Sequence, residues 1–123
     1  MIMPECRAIA IVISLLLSGC DQPLPGPEVQ GGDAERGRAA LQKYECGVCH
    51  LIPGVPGAKG RVGPALHAYS RRIYIAGRFP NEPDTLTRWL LDPPALAPDT
   101  AMPRIPMTQK TALDIAAYLY SLE

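Results

Sequence analysis

The sequence predicts an all-α fold of three to five helices over residues 33–123. Three segments repeat apolar residues at a period near 3.6, each behind a residue able to cap a helix. Loops rich in Pro and Gly separate them. The total of 123 residues allows a single domain. The pentapeptide Cys46-Gly47-Val48-Cys49-His50 is short enough to lie on one tight helical turn.

Residues 1–19 stand apart from that domain. Residues 8–17 are ten mostly aliphatic positions behind the single base Arg7, too few to span a bilayer and suited to the apolar region of an export signal. Leu17-Ser18-Gly19-Cys20 resembles the lipobox of bacterial lipoproteins, which implies that Cys20 carries lipid and becomes the first mature residue. An ordinary signal with an incidental cysteine is the alternative. Residues 20–32 read as the anchored Cys20 followed by a linker, because residues 21–32 hold several Pro and Gly and no hydrophobic period. As a polyproline-like segment at about 3.1 Å per residue, those twelve residues would reach at most about 37 Å.

In the first helix, Asp33 is placed to cap, and Ala34, Gly37, Leu41 and Tyr44 recur at helical spacing. Gly37 costs about 1 kcal/mol relative to Ala inside a helix, so something must require it. Asp84 can cap a short helix with Leu86, Trp89 and Leu90 on one face, stopped by Pro93 and Pro94. Thr108 can cap the last, whose stripe is Ala112, Ile115, Leu119 and Leu122, with Ala116 beside it.

The pentapeptide carries the chemistry. In an oxidising compartment, C-x-x-C-H reads as the attachment site of a c-type haem: two thiols a fixed distance apart form thioethers to the two vinyl groups, and the next His points at the iron. A thioredoxin-like pair would want a βαβ context, and no alternating strand pattern accompanies Cys46. A structural zinc site needs about four N/S ligands, and only His67 is left to supply one. A Cys46–Cys49 disulfide before haem loading stays open.

On these residues the chain resembles the c-type cytochromes, and over residues 33–123 the class I monohaem branch of that family. The resemblance implies a class I cytochrome c fold wrapped around one covalent haem c. It implies that Cys46 and Cys49 bind the haem and that His50 ligates iron. In Gly63-Pro64-Ala65-Leu66 it implies that the Pro64 carbonyl accepts the His50 Nδ1 hydrogen, fixing the tautomer. In Thr100-Ala101-Met102-Pro103 it implies that Met102 is the second metal ligand. Met107 and His67 are the rivals there, with Met107 suited to gap-filling. A C-terminal helix crossing close over Gly37 would explain that glycine, with Tyr118 as the matching aromatic. Trp89 and Arg61, and beside them Tyr69 or Arg72, are candidate partners for the haem propionates. Core packing for Trp89 and a solvated role for the others are the alternatives.

Removing one base and one acid with residues 1–19 leaves 11 of each, a net charge of zero. Between Cys46 and Asn81 lie Lys59, Arg61, Arg71, Arg72 and Arg78 with no acid, so an acidic partner face is expected if they cluster. The expectation is a non-enzymatic single-electron carrier, lipid-anchored on the periplasmic face of the bacterial inner membrane. Its expected partners are membrane-bound, a terminal oxidase or a quinol-oxidising or dehydrogenase complex, with no nucleic acid and no small-molecule substrate. The alternatives are a fixed haem-relay subunit of a larger oxidoreductase or oxidase, and a haem peroxidase or ligand sensor, which needs an open sixth position.

Overall fold

The computed structural model describes residues 25–123; residues 1–19, expected to be an export signal, and Cys20, the expected lipidation site, lie outside them. The first helix, α1 (Ala34–Lys43), starts at Asp33, whose carboxylate accepts from the Arg36 amide at 2.8 Å. The last, α4 (Gln109–Tyr120), starts at Thr108, whose hydroxyl accepts from the Thr111 amide at 3.1 Å. Helix α4 buries Ala112, Ile115, Ala116 and Leu119, and α1 buries Gly37 and Leu41.

The two helices cross at Gly37. A Cβ there would stand 1.9 Å from the Asp114 carbonyl oxygen and 3.0 Å from the Ile115 nitrogen. Backbone meets backbone, so no ring fits between them. The expected aromatic, Tyr118, lies one turn further along α4 and donates its hydroxyl to the Pro53 carbonyl at 2.6 Å.

Helix α2 (Pro83–Leu91) and the short α3 (Pro93–Leu96) follow each other directly. Leu86, Trp89 and Leu90 are buried, and α2 packs on α4. Asp84 does not cap α2. The capping position is Glu82, which makes no side-chain capping bond, and Pro83, its φ already suited to a helix, takes the first helical position. Pro93 and Pro94 end α2 and open α3, where the Asp92 carboxylate accepts from the Ala95 amide at 3.2 Å.

The all-α expectation is corrected. Strands β1 (Tyr74–Ile75) and β2 (Phe79–Pro80) pair antiparallel, with Tyr74 opposite Pro80 and Ile75 opposite Phe79. Ala76 and Gly77, both at positive φ (50° and 68°), close the hairpin, and the Arg78 amide bonds to the Ile75 carbonyl at 3.0 Å. Positive φ at both central residues matches the twist of such a hairpin. Strands of two residues are too short to show a period, so among the described residues the fold is mixed, with four α-helices and one small sheet.

Residues 25–32 also depart from the free linker expected there. Val29 is 7% exposed and belongs to the core. Gly26 approaches the Tyr120 carbonyl so closely that a Cβ would meet it at 2.4 Å. The Gly32 amide returns to the Val29 carbonyl at 3.0 Å. A Pro/Gly composition suits close backbone packing as well as a tether.

Asp114 clamps the start of α1 to α4. Only 5% exposed, it accepts from the Asp33 amide at 2.8 Å, from Arg36 Nε at 3.0 Å and Nη2 at 3.1 Å, and from Lys110 Nζ. These donors, Arg36 foremost, hold its pKa down from the ordinary 3.8 to about 2. A folded-state pKa below the unfolded value adds stability above pH 4, and that stability is lost as the pH falls toward 2. Asp114→Asn should lower the melting temperature by roughly 5 °C at neutral pH. The gap from the native chain should close between pH 4 and 2 in thermal melts; a gap independent of pH would mean the carboxylate's charge contributes nothing.

Candidate haem site

The site begins where α1 ends. Glu45 takes the left-handed conformation at φ 56° and turns the chain out of the helix into a 3₁₀ turn at Cys46–Val48. The Cys49 and His50 amides both bond to the Cys46 carbonyl, at 3.2 and 3.0 Å. One turn thus carries both cysteines, which are free thiols and half-buried. Burial pushes the Cys46 thiol up. Redox-active cysteine pairs need a depressed thiol pKa, so this environment disfavours the thioredoxin-like reading.

His50 Nδ1 lies 2.7 Å from the Pro64 carbonyl oxygen. A carbonyl only accepts, so Nδ1 carries the hydrogen and Nε2 keeps a lone pair for a metal. Gly63 forms the seat of the ring: a Cβ there would stand 2.3–2.9 Å from three imidazole atoms. The loop is pinned to the thiol turn by the Gly63 amide on the Cys49 carbonyl and the Leu66 amide on the Leu51 carbonyl, each 2.8 Å.

Met102 is partly buried against the core, its amide bonded to Thr100 Oγ1 at 3.2 Å. Met107 is partly buried against the same core, so burial alone does not separate the two. Trp89 is buried with its ring 6.2 Å from that of Phe79, held by packing. Arg61 and His67 are exposed, and Arg61 makes no ion pair among the described residues. Of the five bases between Cys46 and Asn81, Arg78 is engaged by Asp99 at 2.8 Å. Arg72 is engaged by the Ala65 and His67 carbonyls and lies 5.2 Å over the Tyr69 ring.

Sequence reasoning missed Asn81, which binds the Tyr69 and Arg72 carbonyls at 3.2 and 2.9 Å and accepts from the Tyr120 hydroxyl at 2.9 Å. It missed Arg72 as the clamp on the loop that follows Pro64. Neither residue belongs to a local pattern that could have marked it.

Two thiols on one turn, followed directly by an imidazole whose Nδ1 is held by the Pro64 carbonyl, are residues that fit a covalently attached haem, and Met102 lies on a separate loop. No family model matches the chain. Over 91 residues it is 33% identical to cytochrome c oxidase subunit 2 of Alkalihalophilus pseudofirmus, an alignment covering 73% of this chain and 26% of that protein. The chain therefore spans about a quarter of the length of the curated relative it matches.

Proposed function

We propose that this chain is a monohaem c-type cytochrome serving as an electron relay to, or within, a terminal oxidase complex. The observation that carries the haem reading is the His50–Pro64 hydrogen bond directly behind the C-x-x-C turn, since it leaves Nε2 as a preset ligand. The similarity to an oxidase subunit favours a fixed relay over a free shuttle.

When bound, the haem supplies a one-electron ferric/ferrous couple. Cys46 and Cys49 would hold it by thioethers, and the Pro64 carbonyl keeps His50 in one tautomer and one orientation. Met102 would be the second protein ligand, a weak thioether that would raise the potential relative to a second imidazole. With His50 and Met102 both given to the metal, the chain would pass electrons and bind no substrate there. Lys59, Arg61 and Arg71, exposed and outside any ion pair among the described residues, offer positive charge to an acidic partner face. Cys20, lipidated, would hold the chain at the periplasmic face of the membrane. Among the described residues no helix is long and apolar enough to cross one.

In detergent-solubilised membranes the chain should comigrate with an oxidase. Met102→Ala should abolish the weak near-infrared sulfur-to-iron band of the ferric protein and slow electron delivery within that complex, while Met107→Ala keeps both. A chain recovered wholly apart from any oxidase sinks the relay reading, and loss of the band only in Met107→Ala moves the ligand to Met107.

A further inference from the structure

We infer that residues 25–32 are a strap belonging to the folded domain, so that the chain leaves toward its N-terminus at one fixed place beside the end of α4. Three contacts spaced along the strap carry this. At one end Gly26 lies between the Tyr120 carbonyl and Ser70, where a Cβ would stand 2.4 and 2.9 Å away. In the middle the Val29 side chain is buried in the core. At the other end Gly32 lies against the Leu113 carbonyl, where a Cβ would stand 2.6 Å away. The surface beneath is itself tied down: the Ser70 amide and hydroxyl both bond to the Leu122 carbonyl at 3.0 Å, joining the Tyr69–Arg71 turn to the end of α4.

The strap stands on these contacts alone; its consequence for electron transfer rests on the proposed function. If Cys20 is the anchor, only residues 21–24 separate it from Pro25. At the same rise of about 3.1 Å per residue, five steps give a reach of about 16 Å, less than half the about 37 Å of a free twelve-residue linker. The domain then keeps one side toward the membrane and presents its haem within a narrow range of positions. Such a mounting suits a fixed relay and works against a shuttle that must swing between two partners.

Glu28 provides the test, because it is an exposed cleavage site for a glutamate-specific protease inside the strap. In the haem-loaded full chain, cutting after Glu28 should be at least about tenfold slower than in a free peptide of residues 21–35. Val29→Ser, which loses the buried apolar side chain, and Gly26→Val, which cannot seat against Tyr120, should each recover most of that rate with the haem spectrum unchanged. A native chain cut as fast as the peptide overturns the strap whatever the variants do. A protected strap in a chain that delivers no electrons to any oxidase supports the strap and overturns the proposed function instead.

Discussion

Replacing Cys46 and Cys49 together by Ala should leave a chain that holds no haem through acid–organic extraction, whereas the native protein keeps one equivalent. The turn at Cys46–Val48 has no other covalent means of retaining it, and His50 alone is a single, exchangeable bond. Folding should fail with it. A domain of about ninety residues buries only about two-thirds of its surface, so a large apolar group contributes core that the chain lacks. Val48, Leu51 and Val62, exposed around the thiol turn and the loop before Pro64, show how little protein covers this side. Circular dichroism of the double variant should show most of the helical signal lost. Haem that survives extraction from it, or helicity equal to the native protein's, would count against the assignment or the cofactor's structural role respectively.

Gly37→Val should prevent folding, and Gly37→Ala should cost more than about 3 kcal/mol. The obstacle is the Asp114 carbonyl, a backbone atom that cannot rotate aside, 1.9 Å from where the new Cβ would sit. Helices α1 and α4 pack directly on each other, and spreading them would also pull Asp114 from the Asp33 amide and Arg36. The effect should reverse in isolation: in a peptide of residues 33–44, Gly37→Ala should raise helicity, since Ala is favoured by about 1 kcal/mol in a free helix. Equal melting temperatures for the native protein and Gly37→Ala would show that the helices can part at no cost.

What could be read from the sequence was what is local. Asp33 and Thr108 cap their helices through bonds to residues three positions on, and the buried stripe of α4 follows its own period. Gly37 announced a close approach because a mid-helix glycine is otherwise unfavourable. Family resemblance named the C-terminal helix as its partner, but which turn of α4 arrives there is a tertiary matter, and it is the backbone at Asp114 and Ile115. Pro83 displaced Asp84 from its expected cap because ring geometry at the first helical position prevails over a side-chain acceptor. The hairpin at residues 74–80 was overlooked because two-residue strands carry no alternation, although an Ala-Gly pair between β-branched and aromatic residues was a turn signal. Val29 sat in a stretch whose composition says only that the backbone is unobstructed, and the packing beneath it decided the rest. At the site, the pairing of His50 with Pro64 came from family resemblance, and no spacing rule would have supplied it.

The crossing of α1 over α4 also sets an order of events during synthesis. Asp33 and Asp114 are 81 residues apart, so α1 lacks its main packing partner until almost the whole chain is available. A ten-residue helix alone is marginal in water, and long-range contacts form late. A chain that emerges from its N-terminus therefore presents Cys46 and Cys49 in an open, unprotected stretch for most of its passage. The last helix to arrive is the one that closes the domain, which leaves a window in which the thiols are reachable and after which they are half-buried.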